Sequence, residues 1–170
     1  MMVSTLSRIA ITGASGYMGM KLISELESTD HVETILAIDL RKSNRIHYSK
    51  KIVFVKHDVR EPIYQILKLY KIQAVVDLVF ILNPARSRGC FQSINVGGIT
   101  NLLDSISRSD VRYLLFLSRE SVYGPNPEKV YAISKIVSDD LNILSCFRPV
   151  MRMPTQILQN LFSMVKITRR

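Results

Sequence analysis

Residues 8–19 read Arg-Ile-Ala-Ile-Thr-Gly-Ala-Ser-Gly-Tyr-Met-Gly. Ile9, Ala10 and Ile11 make a short continuous apolar run, the pattern of a strand buried on both faces. Three glycines follow at a spacing of three, Gly13, Gly16 and Gly19. Gly13 permits a tight turn out of the strand, and Gly16 lets the backbone approach a pyrophosphate. Gly19 lets the next helix pack close to the sheet. In that helix Met20, Leu22, Ile23 and Leu26 fall on one stripe, with Lys21, Glu25 and Glu27 elsewhere. Its N-terminus offers unpaired N–H groups and a partial positive charge to phosphates. Asp39 ends the second expected strand, 20 residues past Gly19. A carboxylate there accepts hydrogen bonds from the adenosine ribose hydroxyls and repels a 2′-phosphate, which favours NAD over NADP. Arg41 and Lys42 follow at once and could pair with a 2′-phosphate, so NADP stands as the alternative.

The same alternation runs along the chain. Short apolar runs at 34–40, Ile52–Lys56, 74–82, 113–118 and 146–151 read as further strands. Helical spacing predicts helices at 17–28, 62–71, 87–108 and 128–144, and one more over 155–168. Alternating β and α segments with right-handed crossovers predict an α/β fold, a doubly wound parallel sheet in three layers. The 170 residues, 47% of them hydrophobic, suffice for one such domain and its core, and exclude a disordered chain. We expect a dinucleotide-binding domain over 1–154 and a helical tail over 155–170. No apolar run reaches the roughly 20 residues of a membrane span, and no leader is expected because Arg8 and the glycines arrive early. Cys90 and Cys146 do not make a disulfide framework, so a cytoplasmic setting is expected. The net charge of +9 is uneven: residues 41–71 hold nine Lys and Arg against Asp58 and Glu61. Aromatic residues are not interleaved with these bases, so the excess reads as a solvated face, and nucleic acid is not an expected partner. No metal-ligating cluster stands out.

Further motifs follow in order. They are Asp58-Val59-Arg60 after the third strand, and Asn95-Val96-Gly97-Gly98-Ile99-Thr100-Asn101-Leu102-Leu103 in the third helix. Ser118 to Ser121-Val122-Tyr123-Gly124 ends the fifth strand, and Tyr131-Ala132-Ile133-Ser134-Lys135 comes after it. From Arg8 to Pro149 this order resembles the extended short-chain dehydrogenase/reductase family, the NAD-dependent nucleotide-sugar epimerases and dehydratases. The resemblance implies a Rossmann fold whose loop of Gly13, Ser15, Gly16, Tyr17, Met18 and Gly19 holds the cofactor, with Asp39 and Arg41 at the ribose. It implies that Asp58 and Val59 contact adenine, and that Leu78, Val79, Phe80 and Asn95 also border the cofactor. Three Tyr/Lys pairs occur at a spacing of four, Tyr17/Lys21, Tyr64/Lys68 and Tyr131/Lys135. Only the third falls after the fifth strand, where both side chains share a helical face. By the resemblance Tyr131 is the acid/base, Lys135 its activator and a ribose ligand, and Ser118 their hydroxyl-bearing companion.

The chain also departs from that pattern. Aligned on Val122-Tyr123-Gly124, Arg119 stands where the family has a substrate-polarising Ser or Thr. Ser118 survives one position earlier, 13 residues before Tyr131. On the fourth strand Asp77-Leu78-Val79-Phe80 replaces His-Leu-Ala-Ala, exchanging two small residues for larger ones. The stretch from Gly124 to Tyr131 is short, and most of the substrate lobe that follows such a sheet in the family is expected to be missing. Two functions are therefore expected in competition. One is an NAD-dependent epimerase or dehydratase acting on a nucleotide-sugar-like substrate. The other is a non-catalytic dinucleotide-binding or sensing module. A homodimer through the third helix and that of Tyr131 is implied by analogy alone.

Overall fold

The computed structural model describes residues 6–81 and 92–116. Five strands, β1 (Arg8–Thr12), β2 (Thr34–Asp39), β3 (Ile52–Lys56), β4 (Ala74–Asp77) and β5 (Tyr113–Phe116), form one sheet. Every pairing is parallel and the order is β3-β2-β1-β4-β5. The order reverses between β1 and β4, so the ends of these strands open onto a crevice, the usual ligand position in such sheets. The expected doubly wound sheet is therefore present. The sixth strand, the helix at 128–144, the segment at 155–168, the domain boundary at 154 and both cysteines lie outside the described residues.

Alternation of side chains assigns the strands' apolar residues to two cores. Ile9, Ile11, Ile35, Ala37, Ala74 and Val76 point to one face and pack with Leu22, Ile23 and Leu26 of α1 (Tyr17–Glu27). Ala10, Leu36, Ile38 and Val75 point to the other. There they meet Leu67 of α2 (Tyr64–Leu69) and Ile99 and Leu102 of α3 (Gly98–Ser107). Burial on both faces explains why β1, β2 and β4 carry unbroken apolar runs rather than alternating ones. Lys51 meets the last carbonyl of α1 and one just past it, its Nζ donating to Glu27 O and Thr29 O, each at 3.2 Å. Among the described residues no helix is long and apolar enough to cross a membrane.

Three elements differ from their expected spans by more than one residue. The second helix covers Tyr64–Leu69 rather than 62–71, because Lys71 takes a left-handed conformation (φ 51°) that turns the chain into β4. The Lys71 and Ile72 N–H groups close that turn on the carbonyls of Lys68 and Leu67, each at 2.9 Å. The fourth strand ends at Asp77 rather than running to 82. Beyond it, side chains replace ladder partners: the Asp77 carboxylate accepts the Val79 N–H, and the Asn95 amide accepts the Ile81 N–H. The third helix is not uniform, since a π-helical turn over Ser93–Gly97 precedes α3. Such turns recur at functional sites.

Candidate functional site

The site starts where β1 ends. Gly13 has φ +67°, a conformation that L side chains rarely adopt, and a Cβ there would lie 3.0 Å from the backbone of Leu78. The turn is tied by Ala14 N–H to Ile38 O at 3.2 Å and Gly16 N–H to Gly13 O at 3.0 Å. A Cβ on Gly19 would lie 2.6 Å from the Ala14 carbonyl oxygen, so the start of α1 can sit on the turn only with glycine there. This first turn carries no acid and no side-chain cap. Its partial positive charge is thus left to attract an anion.

Asp39 stands at the end of β2, directly beside this turn. Its Oδ2 accepts the Ser15 N–H at 3.0 Å and its Oδ1 accepts the Arg41 N–H at 3.3 Å. The Ser15 hydroxyl donates to Arg41 O at 2.5 Å. The glycine turn and the acid after β2 are therefore one hydrogen-bonded unit. Arg41 is exposed, whereas the Lys42 ammonium lies 4.3 Å from the centre of the Tyr48 ring. Burial, with the Asp39 charge adding to it, raises the Tyr48 phenol above its ordinary value. Tyr48 was not among the expected site residues, because nothing in its local sequence shows that the loop folds back beneath Lys42.

An open groove of about 270 Å³ crosses the strand ends, close to the lower size of ligand clefts. Gly13, Gly16 and Asp39 line it with Asp58 and Val59 on one side and Leu78–Ile81 on the other. Asp58 pairs with Arg60, Nε to Oδ1 at 3.0 Å and Nη2 to Oδ2 at 2.6 Å. These hydrogen bonds, against some burial, pull its pKa down to about 2. Asn95 is buried and clasps the Ile81 peptide: Nδ2 donates to Ile81 O at 3.2 Å and Oδ1 accepts Ile81 N–H at 2.9 Å. It therefore reaches the groove through the wall it holds. Asp77 is buried at the end of β4 and accepts the Thr12 hydroxyl and the Val79 N–H.

The structure thus brings together Gly13, Ser15, Gly16, Asp39, Arg41, Asp58, Val59, Leu78, Val79, Phe80 and Asn95 around one groove or its walls. Tyr17 and Met18 open α1 beside it, Tyr17 largely exposed. The other expected Tyr/Lys pair within the described residues, Tyr64/Lys68, decorates α2, with the Arg108 guanidinium 3.8 Å from the centre of the Tyr64 ring. Ser118, Arg119, Tyr131 and Lys135 lie outside the described residues. A NAD molecule fits the donors and acceptors present: a glycine cradle that a Cβ would fill, an uncapped helix start, and a rim carboxylate.

The model of the NAD dependent epimerase/dehydratase family matches residues 9–162. The chain is 28% identical over 130 residues to the bifunctional protein GAL10 of Pachysolen tannophilus, covering 70% of this chain and 19% of that protein. It is 27% identical over 124 residues to UDP-glucuronic acid decarboxylase 6 of Arabidopsis thaliana, covering 69% of this chain and 35% of the relative. Its fold is similar to that of the Bordetella bronchiseptica enzyme WbmG solved in complex with NAD, with a TM-score of 0.73 at 21% identity. That match covers 84% of this chain and 51% of WbmG. The chain therefore spans well under two thirds of the length of each of these proteins.

Proposed function

Because this chain belongs to the NAD dependent epimerase/dehydratase family, we propose that it binds NAD across the ends of β1, β2 and β4. We further propose that it serves redox chemistry on a nucleotide-sugar-like substrate. The observation that carries the reading is the bond from the Ser15 N–H to the Asp39 carboxylate, 3.0 Å. It sets the turn proposed for phosphate beside the acid proposed for ribose, the two groups that a dinucleotide spans. Two of the four or so lone-pair sites of Asp39 are taken by N–H groups, which leaves acceptors for the ribose hydroxyls. The Asp39 charge opposes a 2′-phosphate, and Lys42 is engaged with Tyr48, so NAD is preferred to NADP.

Bound NAD supplies a hydride acceptor at its nicotinamide. The chain's own part is the proton: Tyr131 takes it from a substrate hydroxyl, and Lys135 lowers the cost of the phenolate. Without such a cation a tyrosine titrating near pH ~10 is a poor base at neutral pH. Ser118 donates a hydrogen bond to the substrate oxygen. Competitive fluorescence titration with NADH and NADPH tests the first half, and tighter NADPH binding overturns the cofactor assignment. Turnover of UDP-sugars by the chain, abolished in Tyr131→Phe, tests the second; unchanged turnover in that variant removes the acid/base role.

A second reading, a dinucleotide-binding module without chemistry, is favoured by Arg119 at the polarising position and by Val79 and Phe80 in the groove wall. It predicts NAD binding with no turnover across a panel of sugar nucleotides.

A further inference from the structure

The turn that leaves β3 is held from two sides. The Glu61 N–H closes it on Asp58 O at 2.9 Å, and His57 Nε2 meets Glu61 O at 2.9 Å. Within the turn, Asp58 Oδ1 accepts both the backbone N–H and the Nε–H of Arg60, each at 3.0 Å, while Oδ2 accepts from Nη2. From α3, Asn101 Nδ2 donates to the carbonyls of Val59 at 2.7 Å and Glu61 at 2.6 Å. One turn earlier on that helix, Gly98 lets Val59 approach so closely that a Cβ would lie 2.9 Å from Val59 Cγ2. Asp58 and Val59 face the groove, so Arg60 and Asn101 act on it through them.

We infer that Arg60 and Asn101 are positioning residues for a purine base, holding the Asp58 carboxylate where it selects an amino-bearing purine edge over a carbonyl-bearing one. The inference rests on the proposed NAD site and deepens it. An ionised carboxylate has about four lone-pair sites and no donor. Two sites on Oδ1 and one on Oδ2 are taken by Arg60. One acceptor on Oδ2 stays for a ligand N–H, and its direction is set by the Arg60 fork. A 6-amino group donates to it; a 6-oxo group sets a second acceptor against it and leaves that one lone-pair site without a donor. Asn101 fixes the turn's backbone on both sides of Arg60, so the carboxylate and the Val59 side chain keep their places together.

Calorimetric titration of the 170-residue chain with NAD and with nicotinamide hypoxanthine dinucleotide tests this, since the second ligand differs only in carrying a 6-oxo group and an N1–H in place of the 6-amino group. The wild type is expected to bind NAD at least about tenfold more tightly, the worth of one hydrogen bond to a charged group. Arg60→Ala and Asn101→Ala are each expected to bring that ratio within about threefold. They do so mainly by weakening NAD, and Arg60→Lys restores part of the preference. A merely structural role would weaken both ligands alike and keep the ratio. Arg60 is half exposed, so its two variants decide the matter even where Asn101→Ala folds poorly. Equal binding of both ligands by the wild type, or an unchanged ratio in the Arg60 variants, overturns the inference and leaves NAD binding standing. Binding of neither ligand by the wild type removes the NAD reading and this inference with it.

Discussion

Single residues set the groove's shape and charge. Gly19 is there because the turn beneath it has no room for a methyl group, so Gly19→Ala forces backbone to move. The cost of such overpacking is about 1–3 kcal/mol. Thermal melting by circular dichroism should show a midpoint lower by several degrees, and an unchanged midpoint would contradict the packing described. Asp58 makes a different claim. Its pKa is lowered to about 2 by the Arg60 hydrogen bonds, against an ordinary value of 3.8. The stabilisation is therefore fully present above about pH 4 and is lost as pH falls toward 2. With Arg60 about half exposed the pair is worth less than about 1 kcal/mol. Carboxyl-carbon NMR should place the Asp58 midpoint near 2 in the wild type and near its ordinary value in Arg60→Ala.

At the scale of elements, the strand ends matter more than the strands. β1 and β4 finish side by side at Thr12 and Asp77, where the threonine hydroxyl meets a buried carboxylate. Thr12→Val keeps the shape and removes the donor. Leaving a buried acceptor short of one donor costs on the order of 1–3 kcal/mol, read as a lower urea midpoint with unchanged slope. The π-helical turn ahead of α3 carries Asn95, which binds the Ile81 peptide 14 residues back and so replaces the missing end of β4. Native-state hydrogen exchange should show faster exchange of the Ile81 amide in Asn95→Ala. Unaltered exchange would mean that the wall is held otherwise. The apolar run over 74–82 reads as one long strand, but hydropathy does not show where hydrogen-bond partners change from backbone to side chain.

At the scale of the described molecule, a groove beyond the ends of β1, β2, β3 and β4 gathers the residues that the glycine motif and its companions announced. If NAD fills it, ligand at 100 times its Kd adds about 2.7 kcal/mol, or roughly 5–10 °C in Tm for a chain of this size. NADP at the same concentration should shift Tm less, and an equal or larger shift would undo the preference assigned to Asp39. The alternating apolar runs and the glycine spacing determined the doubly wound sheet, the turn after β1 and the acid after β2. These are local signals, written in side-chain period and backbone freedom within a few turns of chain. Only the tertiary structure decided that Thr12 meets Asp77 across 65 residues, and that Asn101 clasps the Asp58 turn across 42 and 40. Such partners converge because sheet order and helix packing bring distant segments together, and no local pattern encodes which of many polar side chains will meet.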